Sequence, residues 1–254
     1  MGRLKDKVII ITGGNSGVGA ETALLFAKEG AKVVISARRE AQLIDIATKI
    51  REEGGEVLTV ITDISKPEDA KNLISKTIET FGKIDALVNN AGVLESGLKP
   101  IDCVLDEDMD YVMDINIKGT MYCIREATKE MLKTGTGSII NVASIAGVSG
   151  CGGAAYVSSK AAIIGVTKHT ALRFAGTNIR CNVVCPGTIV TPMVSGMSPE
   201  NLDLNMMSQI SKHSDMSIQP CMPSDVANIL LFLASDESRA LTGQTIVSDF
   251  GSSL

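Results

Sequence analysis

Val8-Ile9-Ile10-Ile11-Thr12-Gly13-Gly14-Asn15-Ser16-Gly17-Val18-Gly19 is the stretch that decides the fold. Its apolar opening is too short for a helix and reads as a buried strand. The strand runs directly into a glycine-rich turn that opens a helix. Glycine at 13, 17 and 19 permits a tight turn and lets backbone amides approach a pyrophosphate at the positive helix N-terminus. A glycine-rich turn alone is a weak signal, because many such turns are merely tight connections. Its position after the first strand and before a helix is what points to a dinucleotide.

The same rhythm continues down the chain. Short apolar runs recur at Val8 to Ile11, Val33 to Ile35, Val57 to Ile61, Ala86 to Val88, Ser138 to Val142, Ile179 to Val184 and Thr245 to Val247. Between them lie helix-length segments with apolar residues three and four apart, such as Glu21 to Glu29, Glu40 to Glu53 and Pro67 to Phe81. The pattern predicts an α/β fold: a Rossmann-type, doubly wound parallel sheet of about seven strands with helices on both faces. No linker, low-complexity stretch or internal repeat interrupts it, so residues 1–254 are expected to form one domain. The exception is 186–223, which begins where a strand has just ended and contains Pro192, Gly196 and Pro199. Loops leaving the carboxyl ends of such strands form the ligand crevice, so this segment is the expected substrate lid.

Composition excludes several classes. A net charge of −5 and a pI near 5.2 give no basic footprint for nucleic acid, and aromatic residues for base stacking are scarce at 3%. No uninterrupted apolar run approaches membrane-spanning length, and Met1 to Lys7 is not followed by a signal-like apolar stretch, so a cytoplasmic location is expected. The six cysteines form no Cys-x-x-Cys pair and have no histidines at zinc-ligand spacing, which suits reduced thiols and no bound metal.

At the end of the second strand, where an acid would accept the adenosine ribose hydroxyls, the chain reads Ser36-Ala37-Arg38-Arg39. Without an acid to repel a 2′-phosphate, and with two guanidinium groups to bind one, NADP(H) is favoured and NAD(H) is the alternative. Farther on, Tyr156 and Lys160 are one helical turn apart and emerge on one face. A tyrosine normally titrates near ~10, and a neighbouring ammonium favours its phenolate, which suits the pair to proton transfer. Ser144, at the end of the preceding strand, could hydrogen-bond a carbonyl oxygen that gains charge as hydride arrives. These are the groups that ketone reduction requires.

Over essentially its whole length the chain resembles the short-chain dehydrogenase/reductase family, with five motifs in order. They are the glycine loop, Asp63, Asn89-Asn90-Ala91-Gly92, the set Asn116, Ser144, Tyr156 and Lys160, and Pro186-Gly187 with Thr191. The resemblance implies that the dinucleotide is held by Gly13, Asn15, Ser16, Gly17, Val18 and Gly19, by Arg38 and Arg39, and by Asp63 and Ile64. Asn90, Ala91, Gly92, Tyr156, Lys160, Pro186, Gly187, Ile189 and Thr191 complete that set. It implies Tyr156 as general acid in reduction, Lys160 lowering the tyrosine pKa and holding the nicotinamide ribose, Ser144 orienting the carbonyl, and Asn116 placing a water in a proton relay. It also implies a homo-oligomer, tetramer or dimer, built on the helices of Asn116 and Tyr156 and the last strand. Two features depart from the pattern: Ser248-Asp249-Phe250-Gly251 stands where many relatives have paired glycines, and Gly147, Gly150, Gly152 and Gly153 surround Cys151.

The lid segment holds Met193, Met197, Met206, Met207, Met216 and Met222, six of the chain's eleven methionines. Flexible thioethers suit an apolar surface that adapts to a bulky ligand, tilting the expected substrate toward a steroid or bile acid alcohol or ketone. The alternative enzyme is a 3-oxoacyl-carrier-protein reductase, against which Leu94-Glu95-Ser96-Gly97-Leu98 offers no basic residue. A non-catalytic NADPH-binding sensor is the alternative of another class.

Overall fold

The computed structural model describes residues 2–195, 202–215 and 217–254. Seven strands form one sheet: β1 (Val8–Thr12), β2 (Lys32–Ala37), β3 (Glu56–Ile61), β4 (Ala86–Asn89), β5 (Thr136–Val142), β6 (Asn178–Pro186) and β7 (Thr245–Ser248). Their order is β3-β2-β1-β4-β5-β6-β7, and every neighbouring pair is parallel. The expected runs are all strands, each extended by a residue or more except at the shared ends.

The central strands are apolar on both faces because each face carries helices. Successive side chains on a strand point to opposite faces. Accordingly Ile9, Ile11, Val33 and Ile35 pack in one buried cluster with helices α1 (Gly17–Lys28) and α2 (Glu40–Glu52). Ile10, Val34 and Leu87 pack in the other with α3 (Pro67–Phe81). α3 has the predicted bounds because its sequence marks both ends: Pro67 opens it, and Gly82 closes it in the left-handed conformation at φ 78°.

From Asp106 to Thr134 the chain is helical in three pieces, α4 (Asp106–Val112), a wide π turn at Met113–Gly119 and α5 (Thr120–Thr134). Then come α6 (Ala146–Ser149) and α7 (Ala154–Arg173). α5 and the end of α7 cover the same face as α3. Between β6 and the final helix lie α8 (Pro192–Ser195) and α9 (Leu204–His213), the latter capped by Asp203, which accepts from the Met206 amide at 2.7 Å. The two ends of this excursion are clipped together, with Val190 N donating to Cys221 O at 3.0 Å and Cys221 N to Thr188 O at 2.8 Å. Gly196, Met197, Pro199 and Met216 lie outside the described residues. α10 (Pro223–Ala234) completes the first face.

The chain runs outward from β1 through β2 to β3, then crosses to β4 on the other side of β1. That reversal opens a crevice at the carboxyl ends of β1 and β4, where ligands bind in such sheets. Among the described residues no helix is long and apolar enough to cross a membrane, and no cluster of three or more His, Cys, Asp or Glu side chains could hold a metal.

Candidate active site

A crevice of about 800 Å³ lies over the carboxyl edge of the sheet. At its floor, Thr12 Oγ1 accepts from the amides of Asn90 and Ala91, both at 3.1 Å, while Asn90 Nδ2 donates to Thr12 O at 3.0 Å and Gly13 O at 3.3 Å. This stitches the turn after β1 to the turn after β4 so closely that side chains are excluded. A Cβ on Gly19 would stand 2.2 Å from Gly13 O, and one on Gly13, whose φ is 68°, would stand 2.9 Å from Ala91 Cα. No side chain caps the start of α1, where the opening amides have no partner within the helix. A backbone-lined cradle at a helix N-terminus fits a pyrophosphate. Gly19 itself lies behind the surface, whereas Gly13, Asn15, Ser16, Gly17 and Val18 line it.

Arg38 and Arg39 line the crevice. With the Asn15 carboxamide turned so that its oxygen faces Arg39, that oxygen accepts from Nη2 at 2.9 Å and Nε at 3.2 Å, steadying the guanidinium beside the phosphate turn. Asp63 and Ile64 also line the crevice. Burial pushes the Asp63 carboxyl up, but the Ser65 hydroxyl and amide, with Arg38 and Lys66, outweigh this and hold it below its ordinary value.

Ala91, Gly92, Pro186, Gly187, Ile189 and Thr191 carry the lining toward Ser144, Tyr156 and Lys160. Tyr156 and Lys160 lie one turn apart on α7, with Lys160 Nζ 5.4 Å from the phenol ring centroid and donating to Val142 O at 3.0 Å. Burial pushes Lys160 down to about 8 and Tyr156 up to about 12. The Ser144 hydroxyl pulls the phenol back, while Glu95 and Cys185 push it farther up. Desolvation thus outweighs the pull of the ammonium expected from their spacing.

Asn116 does not line the crevice. It is buried in the π turn, where Oδ1 accepts from Val93 N at 2.8 Å and Nδ2 donates to Val93 O at 2.9 Å and Ser159 Oγ at 3.0 Å. Such widened turns recur at functional sites because they re-aim a side chain. Gly92 separates it from Lys160: a Cβ there would stand 3.3 Å from Lys160 Nζ and 3.4 Å from Asn116 Oδ1.

Sequence reasoning left out two participants. Thr12, quoted in the loop, ties the floor together through its hydroxyl. Glu95 is a buried carboxyl whose Oε2 accepts from the Tyr156 amide at 3.1 Å. No local spacing in the sequence pairs it with Tyr156, 61 residues farther on.

A parallel sheet with this strand order and a glycine-floored cradle at its switch point defines a Rossmann-type dinucleotide-binding protein. The family model described as Enoyl-(Acyl carrier protein) reductase matches residues 13–253. The chain is 38% identical over 250 residues, 98% of either chain, to a 3-oxoacyl-[acyl-carrier-protein] reductase of Thermotoga maritima. It is 35% identical over 269 residues to a 3beta-hydroxysteroid dehydrogenase of Mediterraneibacter gnavus, covering 99% of this chain and 96% of that one. It superposes on levodione reductase with a TM-score of 0.90 at 31% identity over 98% of both chains. On a Brucella melitensis 3-ketoacyl-(acyl-carrier-protein) reductase complexed with NADH the TM-score is 0.87 at 30% identity, over 99% of this chain and all of that one. The chain belongs to the short-chain dehydrogenase/reductase family, oxidoreductases that act on CH–OH groups and bind NAD(P)H.

Proposed function

We propose that this enzyme is NADP(H)-dependent and interconverts a secondary alcohol and a ketone on a bulky apolar substrate, in the manner of a hydroxysteroid dehydrogenase acting on a steroid or bile acid. The observation that carries the reaction is the Ser144 hydroxyl set against the buried Tyr156 phenol, with Lys160 beneath, at one end of a dinucleotide cradle. A dinucleotide bound in the cradle would supply or accept the hydride. Ser144 donates a hydrogen bond to the substrate oxygen, and Tyr156 passes it the proton that completes the alcohol. A phenol titrating near 12 is fully protonated at neutral pH, the form that reduction needs. Lys160 holds the nicotinamide ribose, and Asn116 fixes the Val93 backbone beside Lys160 and serves the relay that recharges the pair. Pro186, Gly187, Ile189 and Thr191 support the nicotinamide side, and Met193 and Leu202, from the expected lid segment, face the substrate.

Cofactor choice rests on Arg38 and Arg39 at the adenosine end, with no acid at the tip of β2. The substrate reading rests on the other end, where Leu94, Met193 and Leu202 line the wall. Among the described lining residues, Arg38, Arg39 and Lys160 are the only cations, and nearby Lys99 is engaged by Asp108 at 2.8 Å. An acidic carrier protein with a phosphate-bearing arm would want free cations there. The full-length similarity to the Thermotoga 3-oxoacyl-[acyl-carrier-protein] reductase nonetheless supports that reaction as the second reading.

The test is a panel of keto-steroids, keto-bile acids and oxoacyl thioesters followed by NADPH absorbance. Turnover of oxoacyl thioesters alone would overturn the substrate reading, equal efficiency with NADH would overturn the cofactor reading, and full reduction by Tyr156→Phe would overturn the proton donor. A homo-oligomer, tetramer or dimer, is supported by the half-exposed Leu132 of α5 and the largely exposed Leu172 of α7. Sedimentation as a lone subunit would count against it.

A further inference from the structure

Glu95 is 3% exposed and lies outside the set of groups that carry the reaction above. It follows the turn after β4 and reaches across to the first turn of α7, where Tyr156 occupies the third helical position. The opening amides of a helix have no partner within it. Here the loop 95–99 supplies them: Ala154 N donates to Lys99 O at 2.9 Å and Tyr156 N to Glu95 Oε2 at 3.1 Å. Glu95 Oε1 is buried with no hydrogen-bond partner. It presses instead on Gly153, where a Cβ would fall 1.8 Å from Oε1 and 2.8 Å from Leu98 Cα. Gly153 has φ −74°, which any residue adopts, so the close approach of the Glu95 carboxyl and the Leu98 backbone is what demands glycine there. The loop itself is bent to make this contact, with Gly97 at φ 82° and Leu98 at φ 49°.

We propose that Glu95 is a positioning residue for the reaction: its buried carboxylate clamps the first turn of α7 to the substrate wall, fixes the Tyr156 phenol, and places a negative charge beside it. The proposal rests on Tyr156 being the proton donor. Burying an acid that leaves one oxygen unpaired costs stability, and a neutral cap would have served the helix equally well. The charge therefore has a role beyond capping.

The charged and titratable groups around the pair come from four elements. Asp108 of α4 faces Glu95 and is itself held by Lys99, while Lys160 of α7 and Cys185 of β6 face the phenol. Burial, with Asp108, lifts the Glu95 carboxyl above its ordinary value, against the amides of Glu95, Tyr156 and Ala155. At alkaline pH the carboxylate is ionised and pushes the phenol up.

Two readouts test this. The first is the 13C NMR titration of the Tyr156 Cζ, assigned by its loss in Tyr156→Phe, which needs neither cofactor nor turnover. The second is the pH profile of alcohol oxidation, which requires the phenolate. Glu95→Gln keeps an acceptor for the Tyr156 amide and removes the charge. It is expected to move the Cζ titration to lower pH and to raise kcat about threefold below the wild-type midpoint, with nucleotide affinity unchanged. Glu95→Ala and Gly153→Ala release the clamp and are expected to lower kcat about tenfold to a hundredfold with a smaller change in KM. Should Glu95→Ala fail to fold, Glu95→Gln alone decides. A Cζ titration and rate profile in Glu95→Gln that overlie the wild type, whatever happens to melting temperature, would reduce Glu95 to an ordinary helix cap and overturn the proposal. Failure of the donor assignment would show separately, as reduction surviving in Tyr156→Phe.

Discussion

Replacing Lys160 by methionine should remove activity and at the same time make the protein more stable at neutral pH. Burial takes the ammonium from its ordinary 10.5 down to about 8, and each tenfold loss of proton affinity is about 1.4 kcal/mol, so the charged side chain costs the fold about 3 kcal/mol. The bond from Nζ to Val142 O at 3.0 Å is lost in the variant, returning about 1–2 kcal/mol of that gain. The net is about 1–2 kcal/mol, or a rise of about 2–6 °C in Tm for a domain of this size. The pH dependence identifies the cause. Between about 8 and 10.5 the unfolded chain still carries a proton that folded Lys160 has released, so wild-type stability gains from this group as pH rises through that window. Below about 8 both states are charged and the full cost stands. Lys160→Met has no such gain, so its advantage in Tm should be greatest near pH 7 and shrink toward pH 10. Tyr156 and the buried cysteines, raised in the fold, lower stability at high pH in both proteins and cancel in the difference. Differential scanning fluorimetry at half-unit steps reads this directly. Parallel curves, or a variant less stable than the wild type at pH 7, would refute the reasoning.

Gly19→Ala should lose about 2–3 kcal/mol by forcing a methyl against Gly13 O and Asn90 Nδ2, and the Tm rise that NADPH gives the wild type should disappear. Arg39→Asp should lower kcat/KM for NADPH about tenfold to a hundredfold while NADH is little affected, as steady-state kinetics with the two nucleotides would reveal. Asn116→Ala strands the buried Val93 amide and carbonyl, and should cost about 1–3 kcal/mol in urea unfolding together with a fall in kcat.

The fold was legible because parallel strands covered on both faces are apolar throughout, and Val8 to Ile11 or Val33 to Ile35 can be nothing else at that length. Glycines at 13, 17 and 19 were legible for a similar reason, since their local spacing carries their geometry. Lys160 and Tyr156 were legible as a pair because one helical turn separates them. Contacts that join distant segments left no such trace. Thr12 acts on Asn90 and Ala91, Asn116 on Val93 and Ser159, and Glu95 on Tyr156, each across an interval that no periodicity encodes. Spacing also gave the wrong sign for the phenol in the protein alone. It suggested an ammonium lowering Tyr156, whereas burial decides the matter, and burial belongs to the packed molecule.

That burial acts on the two neighbours in opposite senses, and the consequence is chemical. Desolvation disfavours whichever form is charged, so it drives the tyrosine and the lysine alike toward neutrality. In the proposed reaction, a neutral phenol would hold its proton until the substrate oxygen became basic enough to take it. Lys160, near 8, remains mostly charged at pH 7 and can stabilise the phenolate at the moment it forms, in a site where each charge counts for more than in water. In the oxidative direction the phenolate must exist beforehand, and burial and Glu95 both oppose it. On the proposed chemistry, a buried, protonated phenol therefore suits reduction at neutral pH, and oxidation needs alkali to supply the phenolate.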